Sequence, residues 1–140
     1  MPARSRVHAL LVTAGGVALF ASLFLPWHIH GTVAGIAGFR LIDVGMNLRR
    51  NTGVGPPPWA LALGYVVPLC GAGALVALAA GARHGAAVAQ LALAAIAAAV
   101  TLVAQCYLAW DTGPVIAITG AALLTAGAVV GLVHPAVSGA

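Results

Sequence analysis

Residues 86–110 read AAVAQLALAAIAAAVTLVAQCYLAW, a stretch without a charged side chain that is long enough to cross the hydrocarbon core of a bilayer as one helix. Similar apolar stretches lie at about residues 7–25, 59–81 and 114–133. The short links between the last three require antiparallel neighbours. The sequence therefore predicts one transmembrane domain over residues 1–140, an all-α bundle of four antiparallel helices in an integral membrane protein.

The composition indicates the same class of protein. Hydrophobic residues make up 62% of the chain and charged residues only 6%, with a mean hydropathy of +1.08. A soluble domain of this size could not bury so much apolar surface. Because the arginines flank apolar segments and form no basic stripe, we expect contacts with membrane lipids and no binding of nucleic acid. The charged residues are Arg4, Arg6, Arg40, Asp43, Arg49, Arg50, Arg83 and Asp111.

The predicted orientation rests on Arg4 and Arg6, which lie directly before the first helix and favour an N-terminus in the cytoplasm. With four helices, both termini then face the cytoplasm in a multi-pass protein of the cell inner (plasma) membrane. Counted over both sides, the arginines are equally divided and do not decide the orientation. Trp27, Trp59 and Trp110 would all mark the outer interface. A cleaved signal peptide is the competing interpretation, but no A-x-A site follows the first apolar stretch.

The long loop at residues 27–58 contains a predicted short amphipathic helix. Phe39, Ile42 and Met46 fall on one helical stripe, and charged residues fall on another. Such a helix either covers the end of the bundle or provides a docking surface for a partner or a lipid. The candidate partner-binding residues are Phe39, Arg40, Ile42, Asp43, Met46, Arg49 and Arg50.

A short motif ends the first apolar stretch, the hexapeptide SLFLPW at residues 22–27, and a Gly35-Ile36 step follows it in the loop. In this motif and in its four-helix topology the chain resembles a group of small membrane proteins, common in actinobacteria, that have no assigned activity. The resemblance implies a four-helix fold with the first loop outside, and it implies no chemistry. The chain departs from the group at Ile36 and Ala37, where a tryptophan is often expected.

The clearest candidate for metal binding is the histidine pair His28 and His30. On an extended strand this spacing places both imidazoles on one face, as a copper or zinc site requires. A third ligand such as Asp111 would be needed to complete the site, and interfacial histidines without a metal are the alternative. Solvated positions at helix ends are expected for His8, His84 and His134.

No charged residue falls deep inside an apolar stretch, whereas proton relays and ion pathways need such groups. Neither a nucleophile with its base nor a phosphate-binding loop can be recognised. The sequence therefore predicts a protein that is not an enzyme and that uses no cofactor. Cys70 and Cys106 fall at different depths, so we expect two small buried thiols without a disulfide.

Small residues predict close helix packing. Pro68 should kink the second helix, with Gly71 and Gly73 allowing close approach just beyond it. Gly127 and Gly131 form a G-x-x-x-G face in the fourth helix, opposite an alanine-rich third helix. These faces serve either contacts inside the bundle or self-association.

Three hypotheses for function follow from these features. The first is an accessory or assembly subunit that binds another membrane protein through its outer loop and its small-residue helix faces. The second is a lipid or small-molecule binding or transport unit with a cavity opened by Pro68. The third is a metal-binding protein that uses His28 and His30.

Overall fold

The computed structural model of this chain describes residues 3–30, 35–81 and 84–133. Most of these residues are helical, and a small three-stranded sheet joins the loops at one end. The helices are α1 (Ala3–Ala21), α2 (Leu41–Thr52), α3 (Pro58–Leu63), α4 (Val66–Ala79), α5 (His84–Ala104) and α6 (Thr112–Val133). The strands are β1 (Pro26–Ile29), β2 (Ile36–Ala37) and β3 (Leu108–Ala109).

Within the described ranges, three helices are long and apolar enough to cross a membrane: Pro58–Ala79, His84–Ala104 and Thr112–Val133. Helix α1 packs with them and is a shorter apolar helix. These features indicate a multi-pass membrane protein. Helix α1 contacts α4 and α6, and α5 contacts the same two helices. The first and last helices therefore close a four-membered ring, and the predicted helical bundle is confirmed in this outline.

The contact between α1 and α6 brings two backbones together. A Cβ atom added to Gly15 would lie 2.6 Å from the Leu124 nitrogen and 2.7 Å from the Gly120 oxygen. Added to Gly120, it would lie 3.0 Å from the Gly15 oxygen. Glycine is needed at both positions because any side chain would push the helices apart.

Helix α1 is equally close to α4, where Gly71 faces it. A Cβ atom at Gly71 would lie 2.5 Å from the Gly16 oxygen and 2.9 Å from the Leu19 Cβ atom. Gly73 faces the other neighbour, and its Cβ atom would lie 3.3 Å from the Leu93 side chain in α5. The two glycines of α4 therefore lie against different helices.

His8 lies inside the bundle, which the sequence analysis did not expect. Its side chain is buried between α1 and α6, and its Nδ1 atom lies 2.7 Å from the Gly127 carbonyl oxygen. A Cβ atom at Gly131 would come within 2.9 Å of the imidazole ring. The G-x-x-x-G face of α6 thus accommodates Val12 and His8 of α1, with Ala87 of α5 also near Gly131. The expectation of a solvated His8 is wrong because α6 covers it.

Pro68 coincides with an interruption between α3 and α4. Proline has no N–H, so the Gly64 carbonyl four residues earlier loses its usual helical donor. The backbone turns at Gly64 and Tyr65 before α4 begins at Val66. Pro68 itself is buried, and the predicted kink becomes a break one turn before it.

The prediction of an all-α fold is wrong at the end of the bundle that carries the three tryptophans. There β1 pairs antiparallel with β2 and with β3, in the order β2-β1-β3. The register places Trp27 opposite Ile36, and His28 opposite Ala109. We call this end the cap end, and the residues 22–30, 35–57 and 105–111 that cover it are the cap.

Two helices end earlier than predicted because the cap uses their last residues. Helix α1 ends at Ala21 instead of residue 25, since the carbonyls of Leu23 and Leu25 accept hydrogen bonds from Phe39 and Gly38. Helix α5 ends at Ala104 instead of residue 110, and the chain then turns into β3. Strand partners distant in sequence therefore replace the final helical turns. Helix α1 also begins four residues earlier than predicted, at Ala3, and the predicted helix 59–81 is assigned as α3 and α4. The other boundaries differ from prediction by at most two residues, which is ordinary at helix ends.

The core of α5 contains one polar group without a described partner. The Gln90 side chain is fully buried, and neither of its amide atoms has a hydrogen-bond partner within the described part of the chain. An unpaired buried amide costs free energy of folding. Gln90 lies about one helical turn along α5 from Ala87. Ala87 in turn lies near Gly131, beside the imidazole of His8.

The replacement Gly15→Ala should lower the free energy of unfolding by about 1–3 kcal/mol, because the added methyl group collides with the backbone of α6. Thermal unfolding in detergent measures this loss. Gly85→Ala is the matched control, since a Cβ atom there meets nothing within 4 Å. Helix propensity alone would stabilise both variants, so a free energy of unfolding that is unchanged or raised in Gly15→Ala would contradict the close α1–α6 contact.

Candidate docking surface at the cap end

Trp27 is the centre of the cap. Its side chain is only 2% exposed, and the indole N–H donates a hydrogen bond of 2.8 Å to the Ser22 carbonyl. Gly38 and Gly113 lie directly against the indole, so a Cβ atom at either position would collide with it. We expected Trp27 at the lipid interface, but the loop and the start of α6 enclose it.

The turn before Trp27 explains the local conformation of the SLFLPW hexapeptide. The Ser22 hydroxyl donates to the Leu19 carbonyl at 2.7 Å and lies at the end of α1. The residues that follow form bonds between positions three apart, which tighten the last turn. Pro26 then disfavours helix at Leu25 and begins β1. The hexapeptide therefore turns the chain from α1 into the strand.

Helix α2 lies across the cap and packs through a face different from the predicted stripe. Leu41 and Gly45 are buried, and a Cβ atom at Gly45 would lie 2.5 Å from the Leu61 side chain. Ile42 and Met46, predicted to bind a partner, are half-buried, and Ile42 packs against the core. The inward face therefore centres on Leu41 and Gly45.

The charged candidates for partner binding all lie on the outside of the cap. They are Arg40, Asp43, Arg49 and Arg50, each of them exposed. The backbone carbonyl of Arg49 accepts a hydrogen bond of 2.9 Å from the N–H of Gly53. Gly53 follows the last residue of α2 and has a φ of 70°. This left-handed conformation favours glycine, so the end of the helix is fixed beside its two last arginines.

Three phenylalanines form an exposed patch beside α2. The ring centroids of Phe20 and Phe24 are 5.9 Å apart, and those of Phe24 and Phe39 are 6.1 Å apart. Their exposed fractions are 46%, 59% and 47%, respectively. The Tyr65 hydroxyl donates to the Phe39 carbonyl and helps to fix the backbone there. We call these three residues the phenylalanine patch. Of the three, only Phe39 was predicted to bind a partner, because Phe20 lies in α1 and Phe24 in the turn that follows it, outside the predicted amphipathic helix.

A second aromatic group lies at the same end of the molecule. Trp59 and Tyr107 meet edge to face with centroids 5.8 Å apart. Trp59 and Trp110 are more than half exposed. Exposed tryptophans of this kind favour the depth at which a membrane meets water. They therefore indicate the level of the interface on the side of the bundle that carries β3.

Of the two candidate metal ligands, His28 lies on the face of β1 opposite Trp27 and Ile29, and His30 follows directly after the strand. His28 Nδ1 is 3.3 Å from Asp111 Oδ2, and the two side chains are 27% and 26% exposed. His30 is exposed, with its backbone N–H directed at the Tyr107 carbonyl. Among the residues that the structure describes, no group of three metal-binding side chains is found. Metal binding by this pair stays a prediction.

Asp111 also begins α6. Its Oδ1 atom accepts a hydrogen bond of 2.7 Å from the Thr112 backbone N–H. This bond lowers the pKa of the Asp111 carboxyl below its ordinary value, and His28 acts in the same direction. The third residue of the helix is Pro114, which has no N–H to satisfy. Asp111 therefore caps the start of α6.

The two cysteines occupy different environments. Cys70 is buried in α4, whereas Cys106 is exposed in the turn between α5 and β3. Both thiols are free. The expectation of a buried Cys106 is wrong, because α5 ends before it.

His84 is exposed at the start of α5, while His134 and Arg83 lie outside the described residues.

Comparison of the chain with models of protein families, with curated proteins and with solved structures finds no match.

Replacing the α6 cap should make the stability of the protein depend differently on pH. Because the Asp111 pKa is lowered in the folded state, its contribution is present above the ordinary carboxyl pKa and is lost as the pH falls through the folded value. Asp111→Ala should therefore lower the unfolding temperature at neutral pH, and the difference from the wild type should shrink in acid. Thermal unfolding across a pH series measures this.

Asp111→Asn is the matched control, since it keeps an acceptor without a titrating charge. It should lower the unfolding temperature less than Asp111→Ala at neutral pH. If the gap between Asp111→Ala and the wild type stayed constant down to strongly acid pH, the carboxylate would not be the stabilising group.

Proposed function

We propose that this chain is a non-enzymatic accessory or assembly subunit that binds another membrane protein through its cap. In this proposal α1 crosses the membrane together with the three longer apolar helices, so that the domain has four transmembrane helices. The observation that carries the proposal is the phenylalanine patch, three neighbouring exposed rings, with the exposed Arg40 directly after Phe39 in the chain. Aromatic and arginine side chains are the residues enriched at the centres of protein interfaces.

The use of the glycine faces supports the cap as the docking surface. Gly71, Gly127 and Gly131 would all collide with α1 if they carried a side chain. Gly73 lies against α5. These faces are therefore occupied inside the bundle and are not available to a partner. Among the candidate surfaces of the sequence analysis, the cap is the one that presents exposed side chains.

The chemistry of the partner follows from the charges around the phenylalanine patch. Arg40, directly before α2, and Arg49 and Arg50 near its end are exposed, against one exposed carboxylate on the helix, Asp43. The partner surface should therefore combine apolar side chains, at the level of the membrane interface, with acidic residues just outside it.

A non-enzymatic role fits the positions of the two carboxylates in the chain. Asp43 is exposed on α2, away from any described buried nucleophile, and Asp111 caps α6 and contacts His28. General acid–base chemistry needs a titratable group beside a site that can hold a substrate. Both carboxylates have simpler structural uses here.

The orientation that we propose places the cap outside the cell and both termini in the cytoplasm of a plasma-membrane protein. Both aspartates belong to the cap, whereas Arg4, Arg6 and Arg83 lie in sequence segments of the opposite end. Arginines flanking the first helix favour the cytoplasmic side. We further propose that the SLFLPW turn relates the chain to the small actinobacterial membrane proteins that it resembles.

The sidedness can be tested with the exposed thiol. A membrane-impermeant maleimide added to intact cells should label Cys106, which is exposed at the cap end. The variant Cys106→Ser should abolish the labelling, because Cys70 is buried in α4. Labelling that requires opening of the cells would place the cap in the cytoplasm and reverse the proposed orientation.

The docking surface can be tested by photo-crosslinking in membranes of the source cells. A benzoylphenylalanine at Phe24 should give one discrete protein adduct, since this ring is the most exposed of the patch. The variant Arg40→Glu should reduce the adduct at least severalfold, because Arg40 directly follows Phe39 in the chain and the change reverses the charge beside the patch.

The same photoreactive side chain at Leu69 is the matched control. Leu69 is 67% exposed on α4, on a helix long and apolar enough to span the membrane. It should give lipid adducts but not the discrete protein band. Identical products at both positions, or no protein adduct at Phe24, would contradict the docking proposal.

A further inference from the structure

An open groove runs along the outer side of α1 towards the end of the bundle opposite the cap. It has a volume of about 350 Å³ and is lined by Arg6, Ala9, Leu10 and Thr13. This spacing of three, four and seven residues follows one face of the helix, so the groove extends roughly 10 Å along its axis. The small Ala9 and Thr13 leave the hollow between the longer side chains.

The two ends of the groove differ in chemistry. Arg6 is exposed and lies one turn from the start of α1, while Leu10 is 69% exposed and lies deeper along the helix. The lining is therefore apolar apart from a cationic group at its membrane-surface end and the Thr13 hydroxyl. A charged lipid has a matching arrangement, with an apolar acyl chain and a charged head group at one end.

The chain provides no carboxylate for Arg6. Its only acidic residues are Asp43 in α2 and Asp111 before α6, and both belong to the cap at the opposite end. Among the described residues, no acidic side chain therefore lies at the Arg6 end of the bundle to balance its charge. A guanidinium binds phosphate oxygens in a bidentate way, and anionic lipids are the abundant phosphates at a membrane surface.

The N-terminus of α1 adds to the same preference. The helix begins at Ala3, so the unpaired N–H groups and the positive end of its dipole lie within one turn of Arg6. Both contributions favour an anion at this end of the helix. They also distinguish an anionic lipid from a zwitterionic one, whose head group carries its own positive charge.

We propose that this groove is a binding site for an anionic phospholipid, with the phosphate on the Arg6 guanidinium and one acyl chain along Ala9, Leu10 and Thr13. The site is separate from the cap, and it does not depend on the proposed protein partner. It would hold α1, the shortest apolar helix of the bundle, at a defined depth in its leaflet.

Native mass spectrometry of the full chain in mild detergent tests this proposal. The protein is titrated with dioleoylphosphatidylglycerol or dioleoylphosphatidylcholine, and the ratio of the two apparent Kd values gives the preference. The wild type should prefer phosphatidylglycerol, and Arg6→Gln should reduce that preference about fivefold. Arg6→Lys should keep most of it, which separates loss of charge from loss of folding.

Two further variants locate the site. Arg49→Gln removes an exposed arginine at the cap end and should leave the preference unchanged. Ala9→Phe fills the groove while keeping the charge of Arg6, and it should weaken the binding of both lipids. An equal loss of preference in Arg6→Gln and Arg49→Gln would reduce the effect to net charge and overturn the site. The site would also be overturned if the wild type showed no preference for phosphatidylglycerol. The same holds if Ala9→Phe bound both lipids as tightly as the wild type does.

Discussion

The burial of Trp27 is the interaction on which the cap depends. Its indole joins the end of α1 through the Ser22 carbonyl, and its ring lies between Gly38 of the loop and Gly113 of α6. A large aromatic side chain buries much apolar surface, and its one N–H must find an acceptor when it is buried. Both needs are met here, so three parts of the chain that are distant in sequence are held together. The sheet, the position of α2 and the phenylalanine patch all follow from this arrangement.

The bundle beneath the cap depends on a different constraint, the close approach of helix backbones. In a membrane, apolar side chains gain little from facing each other instead of lipid, so packing at short range has to hold the helices together. Glycines provide it between α1 and both of its neighbours, at Gly15, Gly71 and Gly120. Because this use occupies the small-residue faces, the exposed aromatic and charged side chains of the cap are left for binding. The packing of the interior thus determines where a partner can dock.

The two ends of the molecule have different electrostatic characters. The cap combines three arginines with both aspartates, and one of these is used by α6 and His28. The opposite end begins with arginines and has no acid in the chain to balance them. A protein surface with charges of both signs suits a specific partner, whereas an unbalanced cationic end suits anionic lipid. The proposed docking surface and the proposed lipid site follow from this difference.

The sequence by itself determined the class of the protein, because charge-free apolar stretches of membrane length have few other possible structures. It also identified a short helix within the loop at residues 27–58 and the need for close packing at the glycines of the second and fourth apolar stretches. Only the tertiary structure decided where α1 and α5 end, since their last turns give way to strands whose partners lie far away in sequence. The same reason applies to His8 and Trp27. Local sequence placed both at exposed helix ends, but their burial comes from α6 and from the loop, contacts that no short-range pattern encodes.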